Sequence, residues 1–158
     1  MYIHVGIDSE HYTDLCYGFY YNTVEEVRAV LAYINLDYET VEWNNEPETE
    51  SDSFVARCFS HNGDEEDYGD YWCVDEIHKA DKKYNVVYWH AYNGVGFDVH
   101  SFDTYEEASE YLAKNAKEFA DQIREEDLVA CDIDDNSAVI DDNYEWHMWK
   151  IIKTPEGK

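Results

Sequence analysis

Residues 84–102, YNVVYWHAYNGVGFDVHSF, decide how this chain folds. Two runs rich in β-branched and aromatic residues flank Asn93-Gly94, the dipeptide that best accepts the positive φ angles of a type I′ turn. The spacing predicts a hairpin with a two-residue loop. That register pairs Tyr92 with Val95, His90 with Phe97 and Tyr88 with Val99 on one face, and leaves Val87, Trp89, Asp98 and His100 on the other. His90 and His100 would then lie on opposite faces. Directly downstream, Thr104 and Glu107 stand three apart as a capping box. Tyr105, Ala108, Leu112, Ala116, Phe119 and Ile123 step by three and four, so a helix with one apolar stripe is expected to run to about Glu126.

The amino-terminal half carries an echo of this layout. Residues 2–8 (YIHVGID) and 12–21 (YTDLCYGFYY) read as a hairpin. Thr23 and Glu26 form a second capping box, and Val24, Val27, Val30, Leu31 and Ile34 recur at helical spacing to about residue 35. YNTVEEV at 21–27 and FDTYEEA at 102–108 each follow a predicted hairpin and open a helix, with an offset of 81 residues. Residues 38–43 and 53–60 read as strands, and Pro47 marks the segment between them as a loop or edge because it cannot donate to a central ladder. Val74, Ile77, His78 and Asp81 tilt the ambiguous stretch 70–84 toward a short helix. Residues 128–133 and 144–152 read as closing strands around an acidic turn at 132–143. The expected fold class is α+β: antiparallel sheets with two main helices, built as two ββα-type units. The chain is expected to be a single compact domain over 1–158, with two subunits of the fold at 1–80 and 81–158.

Charge is the second organising feature. Thirty-seven acids against eleven bases give a net charge of −26, which disfavours direct binding to nucleic acid or anionic lipid and favours capture of a basic partner. At 44% hydrophobic, with fifteen Tyr, five Trp and six Phe, the composition is that of a packed domain and not of a disordered acidic tail. The charge is lopsided: residues 1–78 hold nineteen acids and two bases, residues 79–158 eighteen and nine. It peaks over residues 37–76, where Asp37, Glu39, Glu42, Glu46, Glu48, Glu50, Asp52, Asp64, Glu65, Glu66, Asp67, Asp70, Asp75 and Glu76 face a single base, Arg57. In an extended backbone, the alternating Glu46, Glu48, Glu50 and Asp52 would fall on one side at intervals of about 6.6 Å. Phosphates follow one DNA strand at about 3.4 Å of rise, so such a row meets roughly every second one.

Other constellations are weaker. Cys58, His61, Cys73 and His78 approach the two-plus-two spacing of a tetrahedral zinc site, although the ligand order is unusual and Cys58 also fits the alternation of a half-buried strand. Asp132, Asp134, Asp135, Asp141 and Asp142 crowd one predicted turn, but as a calcium loop it has Ser137 where a glycine belongs and Asn143 where a bidentate Glu belongs. No nucleophile elbow, phosphate-cradling loop, zinc-protease helix or CxxC is present, so no catalytic residue, metal or cofactor is expected. Tyr20-Tyr21, Tyr88-Trp89 and Trp146/Trp149 are candidate interface anchors. Four widely spaced cysteines, an amino terminus without a basic start and apolar run, and no run of about 18 apolar residues predict a soluble cytoplasmic protein.

These features point to an acidic DNA mimic. It would inhibit a nucleic-acid-binding bacterial defence enzyme, of restriction or CRISPR type, by occupying its basic DNA or RNA channel. The predicted contact residues are Glu39, Glu42, Glu46, Glu48, Glu50, Asp52, Asp64, Glu65, Glu66, Asp67, Asp70, Asp75 and Glu76. The predicted partner is a basic nuclease or CRISPR effector, and a homodimer would lengthen the imitated duplex. In composition the chain is similar to acidic antirestriction and anti-CRISPR proteins of phages and mobile elements. The layout of residues 2–31, about a fifth of the chain, resembles antirestriction proteins of the ArdA kind: a strand, a tyrosine-containing loop, an aromatic strand, then TVEEV opening a helix. Alternatives are an immunity protein that neutralises a basic toxin, a scaffold domain whose acidity serves solubility, and a metal-dependent enzyme using the 132–142 aspartates.

Overall fold

The computed structural model describes residues 2–8, 17–23, 25, 26, 29, 40–43, 53–59, 73–80, 82–91 and 96–155. The chain divides into two compact units, Met1–Lys79 and Ala80–Lys158. The first contains β1 (Tyr2–Asp8), β2 (Tyr17–Tyr21), β3 (Thr40–Trp43), β4 (Ser53–Phe59) and β5 (Cys73–Lys79) in one sheet of order β2-β1-β5-β4-β3. The second contains β6 (Tyr84–Ala91), β7 (Gly96–Phe102), helix α1 (Tyr105–Asp121), β8 (Ala130–Ile133), β9 (Ser137–Asp141) and β10 (Trp146–Lys153), with order β7-β6-β10-β9-β8. All the pairings are antiparallel. The two orders are one order: in each unit the last strand sits at the centre, between the first strand and the penultimate one.

This corrects the expected fold class. The described elements are predominantly antiparallel sheet with one helix, not an α+β arrangement of ββα units with two main helices. Two stretches account for much of the difference. Residues 73–79, read as helical from Val74, Ile77 and His78, form a central strand paired on both sides, where ladder hydrogen bonds and burial of Ile77 outweigh an ambiguous periodicity. Residues 137–141, read as part of an acidic turn, form β9, whose Ala138 and Ile140 are buried. Of the predicted first helix, Glu25, Glu26 and Ala29 are described and helical, and Thr23 Oγ1 accepts from the Glu26 amide at 3.2 Å. The extent of that helix lies outside the described residues.

The second hairpin forms at the expected place with a register shifted by one. Tyr88 lies opposite Asp98, Trp89 opposite Phe97 and His90 opposite Gly96. Because side chains alternate, a one-residue shift moves a whole strand's side chains to the other face. His90 and His100 therefore share a face, contrary to the two-residue-loop expectation. That face holds Val86, Tyr88, Trp149, Ile151, Ala138 and Ile140, and α1 covers it with Ala108, Leu112 and Ala116. Trp149 is 2% exposed, and its indole N–H donates to Asn115 Oδ1 at 3.0 Å, so the largest core side chain is both packed and satisfied. Trp89 is equally buried on the opposite face, which withdraws both tryptophans from the list of surface anchors.

The helix is held at its start. Thr104 Oγ1 accepts from the Glu107 amide while Glu107 Oε2 accepts from the Thr104 amide, completing the predicted capping box. Tyr105 O–H donates to Asp135 Oδ2 and Ser109 O–H to the Asp135 carbonyl, tying the first turns to the β8–β9 connection. The helix ends at Asp121 with no basic residue in its last turn. Among the described residues, no helix is long and apolar enough to cross a membrane.

Candidate functional site

Three strands interrupt the acidic stretch 37–76. Glu42 lies in β3 opposite Arg57, and Asp75 lies in β5 opposite Gly6 and Ala56. Glu76 is 5% exposed, with Oε1 3.2 Å from His78 Nε2, so it belongs to the interior of its unit and is withdrawn from the predicted contact surface. Glu39, Glu46, Glu48, Glu50, Asp52, Asp64, Glu65, Glu66, Asp67 and Asp70 lie outside the described residues. All but Glu39 belong to segments 44–52 and 60–72, which precede and follow β4 in the sequence. Strand β4 has seven residues, so its two ends are about 20 Å apart.

The topologically equivalent connections in the second unit are tight. Residues 134–136 join β8 to β9, and 142–145 join β9 to β10. Asp134 and Asp135 thereby stand at one end of β9 and Asp141 and Asp142 at the other, about 13 Å apart along the strand, while Asp132 lies in β8 opposite Val139. Among the described residues, no group of three or more His, Cys, Asp or Glu is placed to hold a metal ion. The zinc set fares likewise. Cys58 and Cys73 are register partners across β4 and β5, but His78 stands five residues further along β5, about 16 Å from Cys73. His61 lies outside the described residues.

The best-defined polar constellation is one the sequence did not flag. Asp142 Oδ1 accepts from the amides of Tyr144 at 2.9 Å and Glu145 at 2.7 Å, shaping the β9–β10 turn in which Asn143 takes φ 73. Asparagine tolerates that left-handed conformation better than most residues. The other oxygen, Oδ2, lies 3.0 Å from His147 Nε2, and His147 Nδ1 lies 2.8 Å from Tyr88 O–H. Burial alone would raise the Asp142 carboxyl. The Glu145 and Tyr144 amides, joined by His147, outweigh that and hold it below its ordinary value. Ionised Asp142 fixes the His147 proton on Nε2, so Nδ1 accepts the Tyr88 proton. Burial, followed by the carboxylates of Glu145, Asp142 and Asp98, pushes the Tyr88 phenol up to about 12.

His90 completes the group. Its Nδ1 is 3.3 Å from Glu145 Oε2, an ion-pair distance, yet off the line a hydrogen bond needs. Phe119 of α1 closes over His147 with ring centroids 4.3 Å apart. An acid–histidine–hydroxyl chain has the outline of nucleophile activation. Raising the phenol's pKa works against it, because the phenol stays protonated. The relay instead anchors the turn to the sheet. Tyr88 and His147 are 59 positions apart in sequence, and the β6–β10 register, which sets His147 opposite His90, brings them to one face.

The fold and its polar groups thus define a class of protein: a chain of two units with one antiparallel topology, acid-rich in its longest connections. Comparison with protein-family models, with curated proteins and with solved structures found no match.

Proposed function

We propose that this protein is an acidic nucleic-acid mimic that inhibits a nucleic-acid-binding bacterial defence enzyme, of restriction or CRISPR type, by occupying its basic DNA or RNA channel in the host cytoplasm. One observation carries the reading: the charge sits where one unit's connections exceed the other's. Segment 44–52 holds Glu46, Glu48, Glu50 and Asp52, segment 60–72 holds Asp64, Glu65, Glu66, Asp67 and Asp70, and neither holds a Lys or Arg. Connections are where binding residues concentrate, because a rigid sheet presents them without being changed by them. The same sign recurs at the end of α1, where exposed Glu118, Asp121, Glu125 and Glu126 flank Arg124, which is already engaged by Glu126 and Asp127. Carboxylates at a helix carboxy terminus oppose its dipole. Charge kept at a cost to the helix is consistent with a use beyond folding.

Retention from a cell lysate tests the proposal. The immobilised protein is expected to capture a basic nuclease or effector at low salt, to release it to duplex DNA or to guide-like RNA, and to bind steeply less well as ionic strength rises through the physiological range. A captured partner that neither nucleic acid displaces would count against mimicry. A co-encoded toxin nuclease bound away from its channel would favour the immunity reading.

A further inference from the structure

We propose that Cys58 and Cys73 are a redox modification site: direct register partners of β4 and β5 that close into a reversible disulfide. The two residues are direct partners in that hairpin, and theirs is the final pair before the chain leaves β4. Directly opposed residues of antiparallel strands share one side of the sheet, with Cα atoms about 4.5 to 5.5 Å apart. A disulfide needs about 4.4 to 6.8 Å. The backbone therefore supplies the required separation without rearrangement. Cys131, by contrast, is exposed in β8 and faces Ile140 across the ladder, so its register offers it no second thiol. A bond between Cys58 and Cys73 would close a covalent ring that includes Asp64, Glu65, Glu66, Asp67 and Asp70, and so narrow the ensemble of the unfolded chain. The bond's formation does not depend on the function proposed above.

The chemistry is thiol–disulfide exchange with a low-molecular-weight disulfide as oxidant. One cysteine thiolate attacks a sulfur of the oxidant, breaking its S–S bond, forming a mixed disulfide and releasing one small thiolate. The opposed cysteine thiolate attacks the protein sulfur of that mixed disulfide, forming the Cys58–Cys73 bond and releasing a second small thiolate. Two electrons pass from the protein thiols to the oxidant. The two thiol protons go to the released thiolates.

The test uses the full chain, reduced and freed of metal by chelation, then equilibrated with mixtures of oxidised and reduced glutathione, acid-quenched, alkylated and peptide-mapped by mass spectrometry. The expected result is a Cys58–Cys73 cross-linked peptide that disappears on reduction with dithiothreitol. It should persist in a chain carrying both Cys16→Ser and Cys131→Ser. Cys58→Ser or Cys73→Ser should instead stop at a glutathione adduct on the remaining partner. A wild-type chain that stalls at glutathione adducts on Cys58 or Cys73 overturns the proposal. So does one that links either residue to Cys16 or Cys131, or that leaves both unmodified under conditions in which exposed Cys131 reacts. Loss of lysate capture with the cross-link intact would count against the mimic alone, and capture without a cross-link against the disulfide alone.

Discussion

In the amino-terminal unit, thirteen residues connect β4 to β5 and nine connect β3 to β4. The carboxy-terminal unit makes the same two connections with four residues and three. Strand order is the same in both units, so the difference in length falls on the links and not on the frame. What each set of links does with its acids also differs. In the short connections Asp135 receives Tyr105 and Asp142 receives two amides and His147, so carboxylates are consumed in holding the unit together. The long connections carry nine carboxylates without a base. One unit thus shows what the frame itself needs, and the other what has been added to it.

The most drastic way to break this comparison is to remove the addition. Replacing 44–52 with the three-residue connection 134–136, and 60–72 with the four-residue connection 142–145, should leave the far-ultraviolet circular dichroism signature of antiparallel sheet in place. Shortening thirteen residues to four reduces loop-closure entropy by about 1 kcal/mol, so the unit should lose no stability on that account. Partner retention should fall by at least ~100-fold, the sum of several exposed charge pairs worth up to about 1 kcal/mol each. Reversing only Glu46, Glu48, Glu50 and Asp52 to Lys should have a similar effect on retention while keeping chain length constant. Unchanged retention in both variants would place the contact surface elsewhere.

The frame has its own breaking point. Leu112 is fully buried against Val86, Ile140 and Trp149, and Leu112→Ala should cost about 2 to 5 kcal/mol, measurable by chemical denaturation. Asn115→Ala strips the Trp149 indole N–H of its acceptor in the same core and should cost about 1 to 3 kcal/mol. These losses should appear without any change in the charge available to a partner.

The relay gives a pH signature for the short β9–β10 turn. Asp142 has a lowered folded pKa, so its contribution is present above the ordinary carboxyl value of 3.8 and is lost as pH falls through the folded value. The stability difference between wild type and Asp142→Asn should therefore shrink as the solution is acidified below about pH 4. Tyr88 has the opposite sign. Its folded pKa is raised from 10.0 to about 12, so its contribution is complete below pH 10 and is lost as pH rises toward 12. Ultraviolet titration of phenolate should show a late-ionising component that is lost in Tyr88→Phe. A Tyr88 that ionises with the exposed tyrosines would break the relay.

How much of this was legible depends on the range of the determining interactions. Thr104 and Glu107 announced the helix start because both halves of a capping box lie within one turn. Asn93-Gly94 announced a hairpin, but its register depended on how the strands beyond the turn pair, and the two-residue loop assumed from the dipeptide was wrong by one position. Strand β5 was hidden because Val74, Ile77 and His78 fit a helical spacing as well as a strand, and one of its two neighbours in the sheet, β1, comes from a distant part of the chain. β9 was hidden because its five residues sit between aspartates that read as a turn. The Cys58–Cys73 pairing and the Tyr88–His147–Asp142 relay are both products of register, which no local pattern records. The acid density was plain from composition, and the strand expected at 53–60 already divided it into two segments.

The smallest expected effect probes the charge at the end of α1. Asp121 is the last residue of the helix, exposed, in a final turn without a base. Asp121→Lys replaces an unfavourable interaction with the helix dipole by a favourable one and should stabilise the unit by about 0.3 to 1 kcal/mol at low ionic strength, with the gain fading as salt is added. The same substitution should weaken retention of a basic partner if the helix end contributes to the contact surface, and leave it unchanged if the surface is confined to the long connections of the other unit. A stabilised variant with undiminished retention would assign the binding charge to segments 44–52 and 60–72. A stabilised variant with reduced retention would mean that both units hold carboxylates against their own folding interest for the sake of one partner.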